Sequence, residues 1–429
     1  MGTTALDVLL VPVGSAGDVH PLVGLGRELQ RRGHRVAMAA LDVFEELARA
    51  CGFDFTSVGT SEEFERVLRD PRLWSAGPAS LKLVMRSTAA LLPRQHAAVI
   101  AHLDAAAARG RQPVVITGAL AFAARVARDQ RRFPMVTLHL SPTAFQSTAQ
   151  PCRFVGLFMP DWLPRPLVRA QWWAANRVGD HFAGPVVNEL RRSLGLAPVR
   201  NILAHWMHAP DLVLALFPAW FAPLAPDWPA QVRQTGFPLY DEAERHTEDA
   251  PWVEWIQRDG PPIVFAPGSA NAQARGFFEA AAKACEALGR PGFLMTRFAD
   301  QVPASLPPKV RHVAYAPFSA LLPRAAAIVH HGGVGTTAQA IASGRPQLVR
   351  PLAFDQQDNA ARVRALGLGL EVSSSPRGQA RRLERRLGEL LADAGFAERG
   401  AQAARRLKLE RSLPAGADLI EQTAAGFQP

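Results

Sequence analysis

Cysteine, lysine and tyrosine are all scarce in this chain of 429 residues. The 3 cysteines (Cys51, Cys152 and Cys285) are far apart. They form neither a metal-binding spacing nor a disulfide framework, which fits a reducing cytosol. No uncharged apolar run reaches the length of about 18 residues that a membrane-spanning helix needs. The start, Met1 to Asp7, has no basic segment, and the apolar stretch after it soon meets Gly14 and Asp18. It therefore does not read as a secretory signal. No acidic cluster has metal-ligand spacing, so no metal is expected. There is also no zinc-finger spacing and no basic region followed by heptads, which leaves nucleic acid off the list of expected partners. Only 4 of the 48 basic residues are lysines. An arginine excess of this kind, beside abundant alanine, matches the codon usage of a GC-rich bacterium. The alternative reading of the net charge of +10 is attraction to anionic lipid or to an acidic acceptor.

Hydrophobic residues make up 48 % of the chain and charged residues 20 %, enough for a large core. At roughly 100–200 residues per domain the length predicts two or three domains. Leu6–Val13 has the length and apolarity of a buried strand. Gly14-Ser15-Ala16-Gly17-Asp18 breaks it. From Val19 to Arg32 the apolar residues Leu22, Leu25 and Leu29 recur at helical spacing, Gly33 stops the helix, and Arg35–Ala40 reads as a second strand. Strand, helix, strand in this form is a βαβ unit, which implies a parallel sheet. Further strands are expected at Val114–Thr117, Met135–Leu138 and Leu212–Leu216. Between them, residues 143–200 include an aromatic and proline-rich stretch, 154–164, leading to Trp172 and Trp173. It reads as an acceptor pocket, a membrane-facing surface or ordinary helical packing.

The polar, acidic residues 241–251 read as a linker between a domain 1–240 and a second α/β domain 252–408. In the latter, strands are expected at Pro262–Ala266, Gly292–Met295, His312–Tyr315, Ala327–Val329 and Gln347–Val349, with helices at Gly276–Leu288 and Thr336–Ala342. Residues 377–411 hold ten basic against five acidic side chains and read as solvated helix. Residues 409–429 are expected to form a last helix packing back on the first domain. The fold class is therefore α/β, with two doubly wound, Rossmann-like domains and ligands at the strand C-termini.

The sharpest motif is Val329-His330-His331-Gly332-Gly333-Val334-Gly335-Thr336-Thr337. It lies between an expected strand and an expected helix. Its glycines let a ligand approach the backbone, and the helix start offers unpaired amides and a positive dipole end. His330 is expected to donate to a phosphate oxygen. No Gly-Lys-Ser/Thr follows, so this is not a P-loop. The loop Pro351 to Ala360 should lie on the same side, with Asp355 and Gln356 suited to sugar hydroxyls.

These residues carry a resemblance. The His-Gly-Gly-x-Gly-Thr turn, Gly344-x-Pro346 and Asp355-Gln356-x-x-Asn359-Ala360 resemble the donor-site signature of inverting GT-B glycosyltransferases related to the UDP-glycosyltransferases. Gly14-Ser15-Ala16-Gly17-Asp18-x-x-Pro21 is similar to that family's acceptor loop. More narrowly, Asp70-Pro71-Arg72-Leu73-Trp74, His205-Trp206-Met207-His208-Ala209-Pro210 and Leu216-Phe217-Pro218-Ala219-Trp220-Phe221 resemble the B-chain rhamnosyltransferases of rhamnolipid synthesis.

The resemblance implies two domains facing across a cleft and a metal-independent, inverting transfer. It puts His330 and the amides of Gly332, Gly333, Val334, Gly335 and Thr336 on the diphosphate, with Gly268 and Ser269 approaching it. Asp355 and Gln356 would hold the sugar. Tyr315 stands where many relatives stack a tryptophan on the base, and Phe318 where many have glutamine. Ala338, eight residues after His330, replaces a ribose-binding glutamate, which favours a thymidine over a uridine donor. Asp18 would be the general base, kept ionised by the helix N-terminus, with Gly17 beside it; its alternative role is a helix cap. His20 is the rival base or pocket lining.

The donor implied is dTDP-L-rhamnose, and the acceptor a lipidic hydroxy acid, 3-(3-hydroxyalkanoyloxy)alkanoate. A cytoplasmic location follows, with peripheral contact to an anionic inner membrane and a companion acyl-chain synthase as further expectations. The competing readings are transfer to a sterol, polyketide or flavonoid, a GT-B-fold epimerase, and a non-catalytic sugar-nucleotide-binding partner.

Overall fold

The computed structural model describes residues 5–75, 77–154, 156–160, 162–245 and 250–428. The chain divides into two compact units. The first comprises residues up to 152, 156–238 and the C-terminal segment from 411; the second comprises 153–155 and 239–410.

The first unit is built on a seven-stranded parallel sheet. Its strands are β1 (Asp7–Val11), β2 (Arg35–Leu41), β3 (Asp54–Gly59), β4 (Pro113–Thr117), β5 (Met135–His139), β6 (Leu212–Ala215) and β7 (Val232–Gln234), in spatial order β3-β2-β1-β4-β5-β6-β7. β1 is buried along its whole length, as a central parallel strand covered on both faces must be. The second unit has a six-stranded parallel sheet in the order β10-β9-β8-β11-β12-β13. Its strands are β8 (Ile263–Ala266), β9 (Gly292–Met295), β10 (Val310–Val313), β11 (Ala327–His330), β12 (Gln347–Val349) and β13 (Gly369–Glu371). In each sheet the order reverses at one place, between β1 and β4 and between β8 and β11. Open parallel sheets bind ligands beyond the strand ends at such a switch point.

The structure corrects several boundaries and adds elements. The first helix runs Ala16–Arg31, not from Val19, so it begins inside the glycine loop. β1 stops at Val11, and β10 covers Val310–Val313 instead of 312–315. Strands β3 and β13 and the helix Pro78–Ala108 had no distinct sequence signal. Residues 169–180 belong to a helix spanning Arg165–Ser193. Trp172 is buried there and donates through Nε1 to the Ser147 carbonyl at 3.0 Å, whereas Trp173 is 64 % exposed. Of the segment read as a linker, His246–Asp249 lie outside the described residues. Asp241 is bound within the second unit, accepting from Ser319 N at 2.6 Å and Ser319 Oγ at 3.0 Å.

The helix Ser412–Ala425 lies in the first unit against the helix Ala16–Arg31. Arg32 pairs with Asp418 (2.6 Å) and Glu421 (3.0 Å). His34 bonds both ways, accepting from Leu6 N at 3.2 Å and meeting Glu421 at 2.8 Å. Replacing this buried ring by alanine orphans two partners, at about 2 kcal/mol. His34→Ala is expected to lower the Tm by about 4 °C in calorimetry. An unchanged Tm would show that the terminal helix is held without it.

Candidate active site

The loop after β1 is closed by its own carboxylate. Ser15 caps the helix Ala16–Arg31, and Asp18, three residues on, completes the box. Asp18 Oδ2 accepts from Ser15 N at 2.8 Å and from Ser15 Oγ at 3.4 Å. Gly14 has φ +131°, and a Cβ there would collide with the Asp18 carboxylate. Only glycine at 14 lets the carboxylate lie this close to the loop.

Asp18 thus does serve a capping function, and it is also perturbed. Burial pushes its carboxyl up to about 6, against the lowering effect of the Ser15 bonds. Removal of water from the carboxylate outweighs the bonds to Ser15, which a helix start alone does not foretell. A carboxylate poised just below neutrality is ionised at pH 7 and more basic than a solvated one. Gly17 beside it is exposed, and His20, two residues along the same helix, is partly exposed.

In the second unit the loops after β8 and β11 meet at the switch point. Gly268 has φ +104°, and a Cβ on it would lie 2.9 Å from the His331 ring. A Cβ on Gly333 would collide with His331 Nε2. The His331 ring is thus wedged between the two glycine turns, with a bond to the Ala266 carbonyl. Burial pushes it down to about 4.

His330 is placed differently from the expectation. It is fully buried, and both ring nitrogens are spent inside the protein. Nδ1 accepts from Gly332 N at 3.1 Å, so Nε2 carries the hydrogen and donates to Gln347 Oε1 at 3.0 Å. Burial pushes its pKa down to about 3, so the ring is neutral. It has no hydrogen left for a phosphate oxygen. Its work is to hold the Gly332 turn, and His331 is the ring at the loop. The count to the ribose position then starts one residue later and reaches Gln339 instead of Ala338, so the donor argument from Ala338 loses its basis.

The helix Val334–Ser343 starts at Gly333, which carries no side-chain cap. Its first helical bond comes from Thr337 N to Gly333 O. The amides of Val334, Gly335 and Thr336 precede that bond and have no carbonyl of their own helix to pair with. Amides left open at a helix start in this way are suited to an anion.

The loop after β12 is tied to this turn. Asn359 is fully buried and donates to Gly332 O at 2.8 Å and to Asp355 Oδ2 at 2.7 Å. Phe354, just before, has φ +56°, a strained position for a non-glycine residue. Asp355 remains partly exposed. Gln356 does not: it is 2 % exposed, and its Oε1 accepts from Leu352 N at 2.7 Å and Ala353 N at 3.0 Å. Its oxygen is committed to the loop, so only its Nε2 could serve a sugar.

After β10, Tyr315 is 44 % exposed, with its hydroxyl donating to the Asp241 carbonyl at 2.8 Å. Phe318 is partly buried, packing against the apolar cluster of Leu321, Leu322 and Ile328. Ser269 is exposed. The structure therefore gathers Gly268, Gly332 to Thr336 and Asp355 at the C-terminal ends of the interior strands β8, β11 and β12, adds His331 and Asn359, and turns His330 inward. The signal for His331 was one residue away, in the paired histidines. Asn359 stood in the motif with no role attached.

Comparisons with known proteins agree with this geometry. Residues 8–144 match the glycosyltransferase family 28 N-terminal domain, and residues 295–421 match the erythromycin biosynthesis protein CIII-like C-terminal domain. The chain is 27 % identical over 431 residues to O-mycaminosyltylonolide 6-deoxyallosyltransferase of Streptomyces fradiae, covering 98 % of both chains. It is 31 % identical over 391 residues to glycosyltransferase GtfE of Amycolatopsis orientalis, covering 85 % of both. Among solved structures, spinosyn rhamnosyltransferase SpnG complexed with thymidine diphosphate superposes with a TM-score of 0.65 at 18 % identity, covering 97 % of this chain and 100 % of that one. Among the described residues no helix is long and apolar enough to cross a membrane, and no group of three or more His, Cys, Asp or Glu is placed to hold a metal ion.

Proposed function

Since the chain belongs to the glycosyltransferases and has their GT-B fold, we propose that it moves a 6-deoxyhexose, L-rhamnose, from a thymidine diphosphate donor to the hydroxyl of an apolar acceptor, with inversion. The observation that carries this reading is that each unit has a specialised loop at its switch point. One holds a desolvated carboxylate, and the other an uncapped, glycine-rich helix start.

In the first unit Asp18 acts as general base. Its bonds to Ser15 fall on Oδ2, and Oδ1 is the oxygen assigned to the acceptor proton. The acceptor oxygen attacks the anomeric carbon as the bond from that carbon to the diphosphate breaks. The proton passes to Asp18, and the electron pair leaves with the nucleoside diphosphate. In the second unit the amides of Val334, Gly335 and Thr336 stabilise the charge that develops on that diphosphate. His331 supports them as a neutral ring held between the two glycine turns. Asp355, steadied by Asn359, accepts from sugar hydroxyls. The exposed Tyr315 ring is held in place by its hydroxyl bond and offers a face for the base.

Two acceptor classes compete. The narrower sequence resemblance favours a 3-(3-hydroxyalkanoyloxy)alkanoate. The exposed rings of Phe158, Trp162 and Trp173, with Arg177 over Trp173, suit a chain that meets its lipidic acceptor at an anionic membrane surface. The 6-deoxyallosyltransferase relative instead favours a macrolactone.

The test is transfer itself. Purified protein is offered 3-(3-hydroxydecanoyloxy)decanoate or a macrolactone, with dTDP-L-rhamnose, UDP-glucose or UDP-N-acetylglucosamine, and the products are weighed by mass spectrometry. The reading predicts a deoxyhexose adduct of the lipid from the thymidine donor. A hexose adduct from UDP-glucose alone would overturn the donor assignment. An adduct on the macrolactone alone would overturn the lipid.

A further inference from the structure

Phe354 holds a backbone angle of φ +56°. This left-handed region is costly for a bulky side chain, whereas glycine takes it freely and asparagine readily. The loop enforces the angle from both sides. Before Phe354, the amides of Leu352 and Ala353 donate to Gln356 Oε1 at 2.7 Å and 3.0 Å. After it, the Asp355 carboxylate accepts from Asn359 at 2.7 Å, and the same Asn359 amide donates to the Gly332 carbonyl at 2.8 Å. Burial does not account for the strain. Ala353 and Gln356 are 3 % and 2 % exposed, whereas Phe354 between them is 38 % exposed. Strain of this kind persists only where the surrounding structure dictates it, and it gathers at ligand sites. Phe354 is therefore a large ring, held part-open to solvent, beside the carboxylate proposed to meet the sugar hydroxyls.

A carboxylate next to an aromatic ring is a two-part surface. Asp355 accepts from hydroxyls, and Phe354 offers no polar side-chain group and favours C–H groups. A 6-deoxyhexose carries the matching pair on adjoining ring carbons, a hydroxyl on C4 and a methyl on C5. A hexose carries a hydroxymethyl group in place of the methyl. Against the ring, that hydroxyl would lose water and gain no bond. We propose that Phe354 is the side chain that reads the methyl of the transferred sugar, so that the site prefers a 6-deoxyhexose to a hexose. The inference rests on the glycosyl-transfer reading above and adds to it a specificity-determining residue. An apolar contact rejects an added hydroxyl only modestly, by about tenfold to a hundredfold, and that sets the size of the effect.

The test is donor binding, read by calorimetry. The probes are dTDP-L-rhamnose, dTDP-L-mannose, which differs from it only by the hydroxyl on C6, and thymidine diphosphate. Each is titrated into the wild type, Phe354→Gly and Phe354→Asn. Both replacements accept a positive φ, so the loop keeps its shape while the ring is removed. The wild type is expected to bind the rhamnose donor about tenfold more tightly than the mannose donor. In both variants the two donors should bind about equally, and thymidine diphosphate should bind all three proteins alike. Equal discrimination in the wild type and both variants would overturn the proposal, as would a wild type that does not tell the two donors apart. A loss of thymidine diphosphate affinity in both variants would mean that the ring only shapes the loop, and would overturn it as well. Rhamnosyl transfer by all three proteins with unchanged discrimination would leave the glycosyl-transfer reading standing without this residue. Ring-dependent discrimination with no transfer to any acceptor would do the reverse: the contact would stand and the catalytic reading would fall.

Discussion

Asp18→Asn is expected to lower kcat by about 10³-fold, within the range of a lost general base, while leaving thymidine diphosphate affinity unchanged. Asparagine keeps the acceptor oxygen that Ser15 N needs, so the loop should keep its shape. The wild type should lose kcat/KM below about pH 6, since a base must be unprotonated and this carboxyl is pushed up to about 6. That limb should be absent from the variant. The same shift has a consequence for stability. The carboxyl is more acidic in the unfolded chain, near 3.8, than in the fold. The folded protein therefore binds the proton more tightly, and the charged carboxylate costs stability. That cost is fully present above pH 6 and fades as the pH falls towards 3.8. Asp18→Asn should accordingly melt a few degrees above the wild type at pH 8, with the gap closing towards pH 4. A variant with near-normal turnover would move the base elsewhere, and His20→Ala would then be the variant to lose activity.

The two adjacent histidines should separate cleanly. His331→Ala is expected to weaken donor binding by about 30-fold with a smaller change in Tm than His330→Ala, because the residue is only partly buried beside two glycine turns. His330→Ala should do the opposite. It removes a fully buried ring and orphans the Gly332 amide and Gln347, at about 3 kcal/mol of stability. Its surviving folded fraction should bind thymidine diphosphate far better than His331→Ala does. Isothermal titration beside thermal melts distinguishes the pair. Equal losses of donor affinity in the two variants would return the phosphate role to His330.

This pair also shows where sequence stops being informative. The paired histidines and three glycines marked an anion loop, because glycine at those positions is a backbone requirement that composition reveals. Which histidine faced the loop was a matter of one residue. Successive side chains leave a strand on opposite faces, so a single-residue ambiguity at the end of β11 inverts the assignment. The two sheets were legible for a similar reason. Strands such as Val8 to Val11 and Ile263 to Ala266 are continuous apolar runs, which only a doubly covered parallel sheet uses. β3 was not legible: its burial pattern is mixed, and Asp54, Thr56 and Ser57 are exposed, as at a sheet edge. The Asp18 motif was visible, but its perturbed acidity was not, since desolvation comes from neighbours distant in sequence. Phe354 had no signal of its own. In the loop before Asp355 it is one more apolar residue, and only its backbone angle and its exposure give it meaning.

The central claim is a single displacement in which the acceptor oxygen attacks the anomeric carbon directly, with Asp18 drawing off its proton. The stereochemistry of the product tests it most directly. The glycoside made from dTDP-L-rhamnose should be isolated and its anomeric configuration read from the one-bond carbon–hydrogen coupling at the anomeric carbon. The account predicts the configuration opposite to that of the donor. Retention would mean that the leaving group's face was used, through a covalent sugar intermediate or an internal return, and Asp18 as a simple base would not survive that result.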